Sequence, residues 1–418
     1  MLNEGGRGSG VAVQLTGSRD ASFGGSSWPQ YDAFDHVRWG AGDNQPNVMR
    51  RLIEKNTIVQ SLLESLRDMI YASGVGFFKR VIDKDGKITL LPYTDQQLED
   101  WVWATDLQDY VISAINQRVD NANIFTKHTW DPFNKWFTLK VMDSFKTRIG
   151  KPGKNQVYKV NPYFGEMGYF QSEDTETLRA YDRLNLDFNV SQTSTISHSR
   201  HKIAGQPFYA YPSWWCAAEA IELANLILAF HKNGILNGYN IKYLIRIPQD
   251  HFDKDGNKAL DSKEVKQRWS KFSDNLSGWL KGQENVNKTM LIKYMRGAEG
   301  KMMDNVDVTP LKNEMSDDAY DKVWKNSNMS IANSVGLLPT LAGVNPGGSS
   351  DSGSQIRVMA DYQQHFRTPV HRSYVLKAIN DSLRAMGYRD VIAAFKEVQI
   401  TTLDSNPTGT QAVINHGQ

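Results

Sequence analysis

One stretch of the sequence restricts the fold more than any other. Residues 213–233 have the spacing of a helix, and apolar side chains cover nearly its whole circumference. Only a narrow polar stripe interrupts them, through Glu219, Glu222 and Asn225. A helix that is hydrophobic on every side has to be covered on several sides. The stretch therefore predicts a helix that lies in a large core or is covered by neighbouring subunits.

Composition narrows the class of protein. A length of 418 residues supports a full core and two or more sub-regions, and 40% hydrophobic residues is typical of a globular protein. A formal net charge of +2 argues against a protein that wraps nucleic acid tightly. The single Cys216 excludes an intramolecular disulfide. No secretory signal and no run of roughly 18 uncharged apolar residues is present, so we expect no membrane partner.

The first half of the sequence alternates helical and strand patterns. Residues 1–45 are rich in Gly and Ser and are expected to form a flexible arm. Apolar spacing predicts a helix over 47–70 and another over 107–119. Between them, the runs 77–81 and 87–91 flank a turn and predict a β-hairpin. Thr94 and Gln97 form a capping-box pattern before a further helix, and several short strands are expected within 124–175.

The second half contains three long helices. Ser213 is the expected N-cap of the first and Gly234 its expected end. The second long helix is predicted to start with Thr309 as its N-cap and Pro310 at its first position, and to stop at Gly336. The third starts near residue 354 and is kinked at an internal proline, Pro369. Shorter elements are expected as strands at 241–247, 289–294 and 397–402 and as a helix at 262–280.

The order of these parts resembles the portal proteins of tailed bacteriophages. Residues 201–238 read HKIAGQPFYAYPSWWCAAEAIELANLILAFHKNGILNG, a Gly/Pro turn, a long helix and an Asn-Gly exit. Residues 310–380 contain a long helix, a Val-Gly-Leu-Leu-Pro exit, a Gly/Ser loop and a helix with an internal Thr-Pro. The segment 46–76 is similar to the usual start of these proteins. Together these regions cover about half of the chain, and the order of parts carries the resemblance rather than any single motif.

The resemblance implies an α+β fold with the portal architecture. Its parts would be an α/β wing, two long stem helices, a small α/β clip insertion, a Gly/Ser tunnel loop and a Pro-kinked helix. The short C-terminal tail departs from larger family members and leaves little room for a crown. The implied boundaries are arm 1–45, wing 46–211, stem helix 212–235, clip 236–309, stem helix 310–336, tunnel loop 337–353, kinked helix 354–387, and C-terminal strand and tail 388–418.

The resemblance also implies a structural, non-enzymatic function. Such a subunit would form a homo-oligomeric ring of twelve copies at the capsid vertex, assembled in the host cytoplasm and carried in the virion. Double-stranded DNA would pass through the channel with weak, non-specific contacts during packaging and ejection. The terminase motor, a head-tail adaptor and the capsid protein would be partners. The expected inter-subunit packing residues of the stem are Trp214, Trp215, Ile221, Leu228 and Trp324.

The loop 341–353 is the implied tunnel loop. It contains no Lys or Arg, and a lining without cations would not retard DNA through counterion release. Its glycines allow movement. The alternative is a plain surface loop. The residues expected to face DNA are Asn345, Ser349, Ser350, Asp351 and Ser352.

The implied clip carries basic residues among methionines, which adapt well to contact surfaces. Lys293, Arg296 and Lys301 are the expected docking residues for a motor or adaptor. The alternative is a solvated strand face.

Residues 253–264, DKDGNKALDSKE, partly match a calcium-binding loop. Lys258 occupies the position where such a loop needs glycine, and the preceding segment is a predicted strand instead of a helix. The alternative is a polar turn that caps the next helix. The candidate ligands would be Asp253, Asp255, Asn257, Asp261 and Glu264.

No phosphate-binding loop or nucleophile elbow occurs, so the chain is not expected to be the packaging ATPase or another enzyme, and no cofactor is expected. His198 and His201 are expected to be packing or solvated residues instead of metal ligands. Two competing functions stay open from the sequence. One is another head-tail or tail structural protein, and the other is a calcium-binding module or calcium-dependent enzyme.

Overall fold

The structure is a computed structural model. It describes residues 35–82, 86, 88–151, 153, 156–164, 174–237, 243–246, 252, 254–255, 258–259, 261–280, 307–310, 317–338, 341 and 353–396. Its helices are α1 Gln45–Lys55, α2 Thr57–Tyr71, α3 Gln96–Thr105, α4 Leu107–Asn121, α5 Leu186–Ser191, α6 Ala218–Asn237, α7 Ser262–Leu280, α8 Asp317–Val335, α9 Gly353–Tyr362 and α10 Pro369–Ala385. Its strands are β1 Val75–Ile82, β2 Ile88–Pro92, β3 Asn123–Asp131, β4 Trp136–Met142, β5 Thr147–Ile149, β6 Val157–Val160, β7 Glu176–Ala180, β8 Ser194–Arg200, β9 Tyr243–Arg246, β10 Lys254–Asp255, β11 Lys258–Ala259, β12 Asp307–Pro310 and β13 Val391–Phe395.

A six-stranded sheet organises the first half of the chain, in the order β4-β3-β8-β7-β6-β5. Its neighbours are antiparallel except for β7 and β8. The prediction of short strands within 124–175 and of an α+β fold is confirmed. A smaller sheet has the order β13-β1-β2 and contains the predicted hairpin. The strand β13, Val391–Phe395, pairs antiparallel with β1. The predicted closing strand at 397–402 lies outside the described residues.

Two apolar clusters hold the fold together. The larger one joins α1 to α4 with α6, α8, α10 and β13, and the fully buried Trp101 and Ile379 belong to it. The smaller one lies on the six-stranded sheet around Phe125 and Ile196.

The segment 35–44 belongs to this smaller cluster, although the sequence predicts an arm over 1–45. Trp39 is fully buried and stacks on Tyr209 with ring centroids 4.4 Å apart. The Val37 amide donates to the Ile149 carbonyl at 2.7 Å. Aromatic burial thus offsets the ordering cost of this segment. Residues 1–34 lie outside the described residues.

Several helices begin or end at other residues than the sequence predicts, because a side-chain cap or a strand pairing sets the boundary. The predicted helix over 47–70 is two helices, because the Asn56 side chain accepts from the amides of Ile58 and Val59 and caps α2. Asp95, not Thr94, caps α3 by accepting from Leu98.

The long-helix ends shift in the same way. A 3-10 turn at Ser213–Ala217 precedes α6, and α6 continues through Gly234 to Asn237. Thr309 and Pro310 do not start the second long helix. They lie in β12, which pairs antiparallel with β9, and α8 begins at Asp317.

The predicted kink is a π turn, Gln363–Arg367, between α9 and α10. Pro369 stands at the first turn of α10, where its missing amide is tolerated. Just before Pro369, the Thr368 amide donates to the Gln363 carbonyl at 3.2 Å. This hydrogen bond joins residues five apart, as in a π helix. The break between α9 and α10 is therefore a widened turn, and α10 begins directly after it.

Residues 213–233 are also long and apolar enough to cross a membrane by length and composition. In an 18-residue window of that stretch, 33% of the residues are buried.

Candidate inter-subunit surface

Helix α6 has one face in the core and one face in solvent. Ile221, Ala224 and Ile227 are buried in the larger cluster or beside it. On the opposite side, Leu223, Leu226 and Phe230 stay exposed by 42%, 61% and 40%. Their spacing of three and four residues places them on one face of the helix. We call these three residues the stem face.

Helix α8 packs beside α6 in the opposite direction. Near the start of α8, the Tyr320 ring stacks on Phe230 with centroids 5.2 Å apart. The end of α8, at Val335, packs in the same cluster as Trp214, which precedes α6. Val323 of α8 is itself 40% exposed. The two helices therefore form an antiparallel pair that presents apolar side chains to solvent.

The polar residues of α6 differ in their surroundings. The Asn225 oxygen accepts a hydrogen bond of 3.0 Å from the Asn56 amide, which ties α6 to the start of α2. Glu219 and Glu222 are exposed. Hence the helix has one apolar face buried in its own subunit, one apolar face exposed, and carboxylates beside the exposed face.

The structure separates the five residues predicted for inter-subunit packing. Trp214 is 1% exposed, with its indole donating to the Val119 carbonyl at 3.1 Å, and Ile221 is fully buried. Both are covered by their own subunit. Trp215 and Trp324 are partly buried against the same cluster. Leu228 is 51% exposed.

The predicted DNA-facing and docking residues lie outside the described residues. This holds for Asn345, Ser349, Ser350, Asp351 and Ser352 of the tunnel loop. It also holds for Lys293, Arg296 and Lys301 of the clip.

The calcium-loop pattern coincides with a small hairpin. Asp255 pairs with Lys258 across the antiparallel strands β10 and β11. Asp261 precedes α7, and its carboxylate accepts from the Ser262 amide at 2.7 Å. The preceding element is the strand β9, as predicted. Asp261 thus lies directly before a helix. Asp253 and Asn257 lie outside the described residues, and Glu264 is exposed.

The histidines beside the sheet are packing residues. His198 stacks on Phe125 at 4.3 Å, and its Nε2 is 3.0 Å from the Asn123 side-chain oxygen. Burial holds the pKa of His198 well below its usual range, and Arg200 adds to this. His201 Nδ1 lies 3.3 Å from the Tyr374 hydroxyl. Within the described part of the chain, no group of three or more His, Cys, Asp and Glu side chains could hold a metal ion.

A second exposed apolar stripe was missed by sequence reasoning. Val358, Tyr362 and Phe366 run along α9 into the π turn and are all exposed, Phe366 by 70%. The Tyr362 and Phe366 rings stack with centroids 5.2 Å apart. Their spacing of four residues was the signal in the sequence. The stripe occupies the predicted kinked helix, so this element also lacks a cover within the described part of its own chain.

Comparisons with known proteins give a match at the level of the fold. No family model matches the chain, and no curated protein sequence matches it. A chain from the neck of an empty gene transfer agent particle, computed with C6 symmetry, superposes with a TM-score of 0.50 over 86% of both chains at 14% identity. A chain from the native neck, computed with C12 symmetry, gives 0.50 over 86% of this chain and 87% of that chain at 15% identity.

An HK97-family phage portal protein from Corynebacterium diphtheriae covers 83% of this chain and 94% of its own, at 10% identity and a TM-score of 0.42. The chain therefore shares the fold of the gene transfer agent neck chains. The resemblance to portal proteins predicted from the sequence is confirmed at the level of the fold.

Proposed function

We propose that this chain is a subunit of a phage-type portal, a closed ring of identical copies at the capsid vertex of a virion. The ring would carry double-stranded DNA through its axis and serve as the docking platform for the packaging motor and later for tail adaptors. The observation that carries the proposal is the stem face, which a single subunit leaves exposed in a chain that shares the fold of a particle neck chain.

The energetics favour assembly through this face. Burying a leucine or phenylalanine side chain contributes roughly 1.5–3 kcal/mol, so a row of such residues strongly favours a covered state. A cyclic ring covers the same patch on every copy by head-to-tail contact. The neck reconstructions with C6 and C12 symmetry are compatible with the proposed twelve copies. The exposed Glu219 and Glu222 beside the stem face oppose a lipid cover, since carboxylates are costly in a bilayer.

The test is the particle formed by the purified full-length chain. Negative-stain microscopy and light scattering should show a closed ring with an axial hole. Leu226→Asp should yield folded single subunits, because a buried charge opposes the interface. Leu184→Asp makes the same chemical change at a side chain that is 98% exposed beside α5, and it should leave the ring intact. A wild-type chain that stays monomeric at high concentration would overturn the proposal, whereas an open or fibrous assembly would favour another tail structural protein.

The clip and tunnel assignments belong to the same proposal. Reversing the charges at Lys293, Arg296 and Lys301 should weaken motor binding while rings still form. Unchanged binding and packaging would remove the docking assignment. In the loop 341–353, replacing Ser349 and Ser350 by lysine should slow DNA passage, because each added cation gains affinity by counterion release.

A further inference from the structure

A cavity of about 280 Å³ lies where α4 ends, next to the turn that leads into α6 and the start of α10. Its walls are mainly apolar and include Leu66, Trp214 and Val335. Arg118, His201 and His371 also line it, and Arg118 and His371 carry buried nitrogens without a hydrogen-bond partner. A largely apolar cavity with a few polar groups is the usual form of a small binding site.

Arg118 has a buried charge without a counter-charge. It is only 7% exposed, and its Nε has no hydrogen-bond partner. Its Nη1 reaches the Ala122 carbonyl at 3.5 Å, and its guanidinium lies 4.8 Å from the centroid of the Tyr374 ring. Within the described ranges it forms no ion pair. An isolated buried charge is costly, so this side chain favours an anionic partner.

The nearest carboxylate along α4 is already used elsewhere. Asp120, two residues after Arg118, pairs with Arg67 and lies 3.9 Å from Arg50. None of these three residues lines the cavity. The positive charge of Arg118 is therefore not neutralised by its own helix.

His371 adds a neutral donor. Its Nδ1 is buried without a hydrogen-bond partner. Burial, together with the charges of Arg118 and His201, lowers the pKa of His371 to about 4, so the ring is neutral at pH 7. A neutral imidazole can donate one N–H. The cavity thus offers one positive charge and one neutral donor.

We propose that this cavity binds a carboxylate, with Arg118 as its counter-charge and His371 as a hydrogen-bond donor. One cation matches a monoanion, whereas a phosphate dianion would retain excess negative charge in apolar surroundings. The apolar walls suit the carbon chain of an aliphatic acid. The carboxylate could come from a small acid in solution or from an acidic side chain of a second copy. The inference does not depend on the proposed ring.

Calorimetric titration of the full-length chain, as dissociated subunits, with sodium butyrate tests the site. Wild type should bind saturably, and Arg118→Met should bind at least about tenfold more weakly, since a charge-assisted hydrogen bond contributes about 1.5–3 kcal/mol. Arg118→Lys should keep part of the affinity, and His371→Phe should lose a few-fold. Arg179→Met, a change at an exposed arginine of β7, is the matched control and should bind as wild type does. Equal binding by wild type and Arg118→Met would overturn the proposal.

A stability measurement separates this role from a structural one. Without butyrate, the melting temperature of Arg118→Met should equal or exceed that of wild type, because the uncompensated charge is gone. A lowered melting temperature together with absent butyrate binding in wild type would show that Arg118 only supports the fold. If Arg118→Met does not fold, the His371→Phe titration decides.

Electron microscopy of the assembled protein identifies the source. The carboxylate comes from a neighbour if two results coincide. Side-chain density of another copy lies within reach of Arg118, and butyrate binds only to dissociated subunits. Butyrate binding to both forms, with no neighbour in the cavity, assigns it to solution. A cavity that holds only water in the assembly and binds no butyrate in either form would contradict the inference.

Discussion

The side-chain amide of Asn56 donates a hydrogen bond of 3.0 Å to the side-chain oxygen of Asn225, across 169 positions of sequence. Asn56 also caps α2 through its own oxygen, which accepts from the Ile58 and Val59 amides. One residue therefore starts a helix of the larger core and ties it to the polar position of α6.

Replacing Asn56 should cost more stability than replacing its partner. Asn56→Ala removes both the cap and the interhelical bond, and we expect a loss of about 1–2 kcal/mol in the free energy of unfolding. Asn225→Ala removes the interhelical bond alone and should cost about 1 kcal/mol or less. Urea titrations of both variants measure the difference. Equal losses would mean that the cap contributes nothing.

The two faces of α6 should respond differently to truncation. Ile221→Ala opens a cavity in the core, and we expect a loss of about 2–5 kcal/mol in the stability of the subunit. Leu226→Ala, on the stem face, should change subunit stability by less than about 0.5 kcal/mol while weakening assembly. Urea titration under dissociating conditions and light scattering give the two readouts. A large loss of subunit stability in Leu226→Ala would show that this face is covered by its own chain.

The pair of Arg148 and Asp43 should make the sheet side of the fold sensitive to strong acid. The Arg148 Nε lies 2.6 Å from the Asp43 carboxylate, and Arg148 is fully buried. Burial raises the pKa of Asp43, but the His36 hydrogen bond and the Arg148 charge outweigh it, so the pKa is lowered from 3.8. A lowered carboxyl pKa stabilises the fold above 3.8, and that contribution is lost as the pH falls below it.

Asp43→Asn should therefore destabilise the chain by about 3–5 kcal/mol at pH 7, because Arg148 keeps a buried charge without its partner. The variant should also lose less stability than wild type when the pH falls from 5 to 3. Thermal unfolding at several pH values measures both effects. A variant as stable as wild type at pH 7 would contradict the assigned role of the pair.

His128 should make stability depend on pH at milder acidity. It is fully buried, its Nε2 lies 2.8 Å from the Ser197 hydroxyl, and burial lowers its pKa from 6.5 to about 3. Between these values the unfolded chain binds a proton that the folded chain does not, so stability falls as the pH decreases from 6.5. One such group changes the free energy of unfolding by about 1.4 kcal/mol per pH unit.

His128→Gln should reduce this pH slope by about one proton. The comparison is made by urea titration at intervals from pH 7 to 4.5, with His365→Gln, a change in the π turn, as the control. An unchanged slope in His128→Gln would mean that the folded state accepts the proton at this position.

The sequence by itself determined the types of most elements and the apolar character of residues 213–233, because periodicity and turn residues act locally. It also determined the hairpin of β1 and β2 and the order of parts that resembles portal proteins. It missed the cap at Asn56, which lies inside the continuous apolar pattern over 47–70, and it assigned the cap of α3 to Thr94 instead of the adjacent Asp95.

Only the tertiary structure decided which apolar residues are covered by the subunit itself. Trp214 and Ile221 look as available as Leu226 in the sequence, yet the packing of α4, α8 and α10 buries the first two and leaves Leu226 in solvent. The same holds for Pro310, which pairing with β9 places in a strand. Long-range contacts of this kind bring together residues far apart in the chain, and local spacing contains no information about them.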